Sequence, residues 1–470
     1  MSQVASSASS NSAPRSPHPK SFKHRTLVGW ISEFSSCPLH EPWPVIKLDD
    51  KMMSDFSEIF DLCQQVGFDK MVIWGLFVSR RWPVPLTQAV DAQRRKQIQQ
   101  LLEAAHERGI KILSGLGVYS WGFEEIIEQF PKVSKGSPRV MCAVAPEAEK
   151  WMQQVVDFVL SDFDIDGVQM QSADQNRCQC QECQKFGDVE YHAMLNDNTA
   201  QYIRSKWQDK IIAVNNWGLS FANPDDIPHI QRMTGAVDIL IDYNNSAHIL
   251  LRNLCSSHSY RRQLIDNLDC AYGTLAGVSV GPPQRWERTK WFLPTTTTNV
   301  PYLRALYDDG GRAVEQFTVA LSNPGGEVTL RFIGKLLSDV SRSPDAVLRE
   351  AIEECFEPKD STTTDGLMEV FQRAENGFFS NSGRDYGSVG LFYIDGGLFP
   401  GEKGDRETYL LRMLADNLNN YEHEIQVALR QLEQIKAGVG RLNKWEDVRQ
   451  SLNTVLLDIK RIRTGSSETC

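Results

Sequence analysis

Short apolar runs alternate with amphipathic segments from residue 25 onwards, and this alternation repeats eight times. The runs are rich in β-branched and aromatic residues, whereas the segments after them repeat their apolar positions at helical spacing. The predicted strands span 25–34, 69–77, 110–121, 165–170, 210–218, 236–245, 269–279 and 312–321. The predicted helices span 52–66, 90–108, 146–163, 190–207, 227–233, 257–268, 300–309 and 327–341.

Eight consecutive strand–helix units predict a closed parallel sheet. The expected fold class is therefore α/β, a (β/α)8 TIM barrel over residues 23–343. An open, doubly wound sheet is the competing architecture. Such a sheet usually has a glycine-rich phosphate turn after its first strand, and none follows residues 25–34. The pattern therefore favours the barrel.

The pattern becomes purely helical after residue 343. It predicts a C-terminal helical domain over residues 344–470, packed on the barrel. A glycine-rich segment within it, 376–405, is long for a simple connection, so it is interpreted as a lid or rim loop or as a surface excursion. At the other end, residues 1–22 are rich in Ser, Ala and Pro and predict a disordered tail.

Composition and charge narrow the possible functions of the 470-residue chain. Its formal net charge of −10 argues against a nucleic-acid partner, because binding to phosphates needs clustered Lys and Arg. No apolar run is long enough for a secretory signal or a membrane span. Ten cysteines spread over this length do not form a disulfide framework. We therefore expect a soluble, cytoplasmic protein without a membrane partner.

Candidate functional residues lie where the predicted strands end, since the active site of such a barrel forms at the carboxyl ends of its strands. These positions are rich in carboxylates, amides and aromatic rings. They comprise Glu33, Trp74, Tyr119, Trp121, Gln171, Ser172, Asp174, Asn215, Asn216, Trp217, Asp242, Tyr243, Asn244, Ser279, Glu315, Gln316 and Asn323.

This mixture suits a carbohydrate, because aromatic faces stack on sugar rings and amides hydrogen-bond to hydroxyls. Two carboxylates can protonate a glycosidic oxygen and activate water. The expected catalytic pair is Asp174 with Asp242 or Glu315. The expected substrate-binding residues are Trp74, Tyr119, Trp121, Gln171, Asn215, Asn216, Trp217, Tyr243 and Asn244. Each of these residues also has a structural alternative, as a helix cap, a core side chain or an interior polar group.

A cysteine loop follows the fourth predicted strand. Cys178, Cys180 and Cys183 have the spacing C-x-C-x2-C, which can place three thiolates around a structural Zn²⁺. His192, another cysteine or water would supply the fourth ligand. Reduced structural thiols are the alternative interpretation of this loop.

The run from Met141 to Cys183 resembles a widespread group of bacterial barrel proteins known only as a domain of unknown function. The resemblance lies in a Pro-Glu helix start, a strand that ends in Ser-x-Asp and the cysteine loop. The stretch 323–358 is similar to the same group and, distantly, to the alpha-glucuronidases. The resemblance implies a glycoside-hydrolase-like barrel, with Asp174 and the three cysteines as the motif residues.

Two functional hypotheses follow. The first is a glycoside hydrolase that uses paired carboxylates on a carbohydrate or glycoconjugate. The second is a non-catalytic carbohydrate-binding barrel with a zinc-stapled cysteine loop. A metal-dependent hydrolase is a third option, but ligation by thiolates alone favours a closed structural site.

Overall fold

The structure is a computed structural model, and it describes residues 19–35, 47–217, 219, 221, 223–243, 260–276, 292–317, 321, 324–381 and 418–464. Most of the predicted N-terminal tail and of the glycine-rich segment lies outside the described residues. The same is true of three candidate site residues, Asn244, Ser279 and Asn323.

Eight parallel strands form a closed barrel, as the sequence predicts. They are β1 His24–Trp30, β2 Lys70–Trp74, β3 Lys111–Gly117, β4 Gly167–Gln171, β5 Ile211–Asn215, β6 Ile239–Asp242, β7 Ala271–Ala276 and β8 Ala313–Phe317. Each strand pairs with the next along the chain, and β8 pairs with β1, so that Glu315 lies opposite Thr26. This closure excludes the open sheet.

The strands place alternate residues inside and outside the barrel. In β6, Ile239 and Ile241 pack in the interior with residues such as Val28 and Val72. Leu240 between them packs in the layer between the sheet and the surrounding helices. This alternation decides which polar side chains can reach the interior of the barrel.

Helices cover the outside of the barrel. They are α1 Asp50–Val66, α2 Ala92–His106, α3 Glu124–Gln129, α4 Pro146–Ser161, α5 Asp188–Lys206, α6 Ile227–Thr234, α7 Val300–Asp308 and α8 Pro324–Ser338. The ends of α1 illustrate local sequence control. Asp49 caps its first turn by accepting a 3.0 Å bond from the Met52 amide, and Gly67 ends it in the left-handed conformation.

Within the described residues, four further helices follow the barrel, namely α9 Pro344–Phe356, α10 Ser361–Asn381, α11 Leu418–Gln434 and α12 Leu442–Thr464. Glu375 of α10 is buried and accepts bonds from the amides of Thr296 (2.6 Å) and Thr298 (3.0 Å), just before α7. Lys444 of α12 forms a 2.7 Å ion pair with Glu327 of α8. These contacts fix the C-terminal helices to the barrel. Among the described residues, no helix combines the length and the apolarity needed to cross a bilayer.

Candidate active site and cysteine cluster

Three tryptophans pack together at the carboxyl ends of the first strands. The ring centroid of Trp30 lies 5.8 Å from that of Trp74 and 5.3 Å from that of Trp121, and the last two are 5.6 Å apart. Trp74 and Trp121 were expected here from the sequence, whereas Trp30 was not. These three rings line this end of the barrel, and we call the cluster of Trp30, Trp74 and Trp121 the aromatic floor.

A strained turn after β3 aims two aromatic residues in different directions. Tyr119 and Trp121 have positive φ angles of 60° and 62°, which cost energy in residues with a Cβ atom. Trp121 packs in the barrel interior, whereas Tyr119 packs outside the barrel with the residues between the sheet and the helices. Burial raises the pKa of Tyr119, and nearby Glu149 and Cys142 raise it further. The structure therefore places Tyr119 beside the cysteine cluster rather than beside Trp121.

A hydrogen-bonded network crosses the barrel interior below the tryptophans. The indole nitrogen of Trp74 donates to Oε1 of Gln169 at 3.0 Å, and the amide of Gln169 donates to Oε1 of Glu315. The hydroxyl of Tyr243 donates to Oε2 of Glu315 at 2.9 Å. Gln169 was not predicted as a site residue, because it lies within its strand rather than at the end.

Glu315 is the carboxylate at the centre of this network. Only 1% of its surface is exposed. Burial raises its pKa to about 7, although the bonds from Gln169 and Tyr243 oppose the rise. The Glu315 carboxyl is therefore able to hold or release a proton near neutral pH.

Asp174 lies in the loop after β4. Its carboxylate accepts a 2.9 Å bond from the side chain of Gln175 and a further bond from the side chain of Trp217. Burial raises the pKa of Asp174, while these two bonds and the charge of Arg80 act in the opposite direction. The negative charge of Glu124 adds to the rise.

Trp217 and Tyr243 connect the two carboxylates. The rings of Trp217 and Tyr243 lie edge to face with centroids 6.1 Å apart. Trp217 hydrogen-bonds to Asp174, and Tyr243 hydrogen-bonds to Glu315. The structure thus brings four sequence-predicted residues into one contiguous set, three that directly follow β4, β5 and β6 and one within β8.

Asp242 lies apart from this set. Its neighbours Ile241 and Tyr243 pack inside the barrel, so Asp242 projects to the outer side. There its carboxylate accepts bonds from Tyr272 (2.9 Å) and from Asn216 (2.8 Å). Asn216 also accepts the amide of Tyr243 at 2.7 Å. Asp242 and Asn216 thus hold the end of β6 and do not line the interior with Glu315.

The remaining candidate residues also divide into those on the interior face of the barrel and those on its outer side. Asn215 ends β5 on its interior face, and its buried Nδ2 has no hydrogen-bond partner among the described residues. Gln171 shares the interior face of β4 with Gln169. By contrast, Ser172 accepts a 3.1 Å bond from Asn196 of α5. Gln316 lies on the outer face of β8, next to the interior Glu315.

Glu33 does not end a strand as predicted. It lies in a short 3-10 turn after β1, where its carboxylate accepts the Trp30 amide at 2.7 Å. It is 4% exposed, and burial raises its pKa to about 8. The bond from Trp30 opposes this rise but does not cancel it.

Four cysteines cluster beside the β4 loop. Cys178, Cys180 and Cys183 are joined by Cys142, which precedes α4, and the four sulfur atoms lie within 4.8 Å of one another. The Sγ atom of Cys142 is 3.8 Å from those of Cys180 and Cys183. This group of thiols can hold a metal ion. The sequence left three candidates for the fourth ligand: His192, another cysteine or water. The structure favours another cysteine, Cys142.

His192 is not part of that group of ligand atoms. Burial lowers its pKa to about 4, so its imidazole is neutral at pH 7. Burial opposes ionisation of Cys180, but hydrogen bonds from the neighbouring cysteines lower its pKa to about 7. The cluster therefore contains at least one thiol that loses its proton near neutral pH.

Comparison with solved structures places this fold among those of glycoside hydrolases. An O-GlcNAc hydrolase mutant from Thermobaculum terrenum matches with a TM-score of 0.55 at 12% identity, over 94% of this chain and 83% of that one. A GH138 enzyme that targets pectin rhamnogalacturonan II matches with a TM-score of 0.60 at 9% identity, over 95% of this chain and 57% of that one.

A third structure, CpGH84B, matches with a TM-score of 0.50 at 8% identity, over 95% of this chain and 68% of that one. No protein-family model matches the chain, and no curated protein matches it. At these identities the likeness establishes a fold shared with glycoside hydrolases. The resemblance to the group of unknown function and to the alpha-glucuronidases stays a prediction.

Proposed function

We propose that the protein is a glycoside hydrolase that acts on a carbohydrate or glycoconjugate with paired carboxylates. The observation that carries this proposal is the connection of Asp174 to Glu315 through Trp217 and Tyr243. Asp174 follows β4 and Glu315 lies in β8, on the opposite side of the barrel, and aromatic rings lie between them. The shared fold of the glycoside hydrolases described above supports the same reaction class.

Asp174 is the general acid of this proposal. Its raised pKa favours the protonated form that a glycosidic oxygen requires, and the residue is partly exposed in the loop after β4. The side chain of Trp217 fixes the orientation of the carboxyl group. A proton would pass from Asp174 to the leaving-group oxygen as the glycosidic bond breaks. The oxygen of a water molecule would then bond to the anomeric carbon and return a proton to Asp174.

Glu315 is the second carboxylate. It lies below the aromatic floor, where in its ionised form it would stabilise the positive charge that develops on the sugar ring. Trp30, Trp74 and Trp121 would provide the stacking surface for that ring. Asn215 and Gln171 would bind hydroxyl groups from the interior face, and the free Nδ2 of Asn215 is a suitable donor. We propose that Asp242 is a positioning residue that holds the end of β6, since its carboxylate accepts hydrogen bonds from Asn216 and Tyr272.

The test is the activity of Asp174→Asn against a panel of aryl glycosides and uronides. Loss of the general acid should lower kcat/KM by about a hundredfold or more. Asp266→Asn changes an exposed carboxylate in the same way and should leave the rate within about twofold. An unchanged rate for Asp174→Asn would remove this residue from the mechanism.

A non-catalytic carbohydrate-binding barrel is the second candidate. Both oxygens of Glu315 already accept hydrogen bonds, and only 1% of its surface is exposed, which favours a structural carboxylate. In that case the wild-type protein would bind glycans and hydrolyse none of the panel. Weakened binding in Trp121→Ala without any turnover would support this alternative.

We also propose that the four-cysteine cluster holds a structural Zn²⁺ ion. Four thiolates at about 2.3 Å from zinc in a tetrahedron would be about 3.8 Å apart, and the two Sγ distances from Cys142 are both 3.8 Å. A disulfide would need sulfur atoms at about 2.05 Å. Because all four ligands come from the protein, the site would be closed and would not carry the reaction.

A further inference from the structure

A cavity of about 480 Å³ lies between the β2–α2 loop and α3. Arg80 and Glu124 belong to its lining, and their charges both act on the carboxyl of Asp174. The other lining residues come from the β2–α2 loop, from α3 and from the segment before α4. They are Arg81, Ile127, Glu128, Pro138 and Arg139.

Hydrogen bonds from two backbone amides hold the walls of this cavity in place. The amide of Trp82 donates to the carbonyl of Gly122 at 2.8 Å, and the amide of Val84 donates to Glu125 of α3 at 3.1 Å. Gly122 has a φ of 95°, and an added Cβ would lie 3.3 Å from the Trp82 ring, so the two loops approach closely here. The cavity is therefore formed before any ligand binds, which reduces the cost of binding.

The lining carries three arginines against two glutamates. Arg80 forms a 2.9 Å ion pair with Glu124. The side chains of Arg81 and Arg139 are exposed and have no side-chain partner among the described residues. A guanidinium group binds carboxylate or sulfate oxygens through a planar pair of donors. The local excess of arginine is notable on a chain whose net charge is −10, because the average field of such a chain repels anions.

We propose that this cavity is a subsite for an anionic group of a carbohydrate, either a carboxylate or a sulfate ester. Arg81 and Arg139 would bind the anion, while the ion pair of Arg80 with Glu124 forms the wall toward Asp174. The inference rests on the proposed function only in that the ligand is a carbohydrate. It does not require hydrolysis.

The test is binding to an array of carboxylated, sulfated and neutral glycans, followed by titration of the tightest acidic glycan. The comparison ligand is the same glycan without its charge, as the methyl ester of a carboxylate or the desulfated form of a sulfate ester. The wild-type protein should bind the charged member more tightly. Carboxylated or sulfated glycans on the array then identify which anion the cavity prefers.

Charge variants give the decisive comparison. Arg139→Gln should weaken binding of the charged glycan by about three- to tenfold, and Glu128→Gln should strengthen it. Arg430→Gln removes an exposed arginine from α11 and should have no effect. The uncharged glycan should bind all four proteins equally. Equal binding of charged and uncharged glycans by the wild type, or shifts of the same sign in Arg139→Gln and Glu128→Gln, would overturn the proposal.

The outcomes for the subsite and for the hydrolase are separate. Charge-dependent binding without turnover would count against the hydrolase and support the subsite. Turnover that depends on Asp174 but is indifferent to glycan charge would support the hydrolase and reject the subsite.

Discussion

The hydroxyl of Tyr243 donates a 2.9 Å hydrogen bond to Oε2 of Glu315, and this contact links the end of β6 to the middle of β8. The bond lowers the pKa of Glu315 against the larger effect of burial. Tyr243 also contacts Trp217, which hydrogen-bonds to Asp174, so a continuous chain of side-chain contacts joins the inner carboxylate to the outer one.

Removing the hydroxyl in Tyr243→Phe should raise the pKa of Glu315 further above about 7, because a bond that favours the ionised form is lost. The buried Oε2 would lose its donor, which should cost about 1–3 kcal/mol of unfolding free energy. Chemical denaturation measures the stability, and carbon NMR of labelled glutamate measures the pKa. Tyr307→Phe is the matched control, since no hydrogen bond of the Tyr307 hydroxyl is found within the described residues. A lowered pKa of Glu315 in Tyr243→Phe would contradict the prediction.

The raised pKa of Glu315 should make stability depend on pH. Its pKa rises from 4.5 to about 7 on folding, so the folded protein holds this proton more tightly than the unfolded chain. The contribution is fully present below pH 4.5 and is lost as the pH rises to about 7, a change of about 3 kcal/mol. Glu315→Gln removes the titration, so its stability relative to the wild type should improve across that range.

Urea denaturation of both proteins at several pH values between 4.5 and 7 measures this difference. Glu103→Gln, an exposed substitution on α2, should keep a constant difference from the wild type. A constant difference for Glu315→Gln as well would show that Glu315 does not titrate in this range.

Close packing of Gly115 against Trp74 predicts a sensitive position in β3. A Cβ atom at Gly115 would lie 2.2 Å from Cδ2 of the Trp74 ring, so the indole would have to move. That movement would strain the 3.0 Å bond to Gln169, and Gly115→Ala should therefore cost about 1–3 kcal/mol. At Gly235, which has a helical φ of −63°, the nearest atom to an added Cβ is 3.5 Å away, an ordinary contact, so Gly235→Ala should not destabilise the protein. Thermal unfolding of both variants is the measurement, and equal losses would refute the packing argument.

The barrel could be predicted from the sequence because eight apolar runs and eight helical segments follow one another without a break. The same reasoning predicts Asp174, Trp217 and Tyr243 as site residues, since polar and aromatic side chains mark the strand ends. Glu315 lies in the middle of β8, and its position early in the predicted strand indicates a residue that points into the barrel. The sequence predicts Glu33 at a strand end because the 3-10 turn after β1 is apolar enough to continue the strand pattern. For the same reason Trp30 is not predicted as the last residue of β1. The outward direction of Asp242 follows from the period of two in β6, a signal that was present in the sequence.

Gln169 and Cys142 could not be found in this way. Gln169 sits among apolar residues in the middle of β4, and only the closed barrel shows that it meets Trp74 and Glu315. Cys142 lies far along the chain from the cysteine loop, so no local spacing connects it to Cys178. Both residues are brought to their sites by contacts between strands or loops that are distant in sequence, and a sequence pattern does not show such contacts.

The last prediction concerns the metal. Purified wild-type protein should contain about one zinc per chain, and Cys142→Ser should lose it as completely as Cys178→Ser, because a four-thiolate site fails when any ligand is removed. Cys63→Ser is the matched control, since Cys63 is a buried thiol in α1 outside the cluster and should retain the metal. Elemental analysis gives the stoichiometry, and cobalt substitution should give the absorption of a tetrahedral thiolate site in the wild type and in Cys63→Ser only.

Cys142 belongs to the segment before α4, and Cys178 belongs to the loop that carries Asp174. Metal removal by a chelator should therefore increase protease cleavage in both segments. If the chelator leaves the cleavage pattern unchanged and Cys142→Ser keeps its full zinc content, Cys142 is not a ligand.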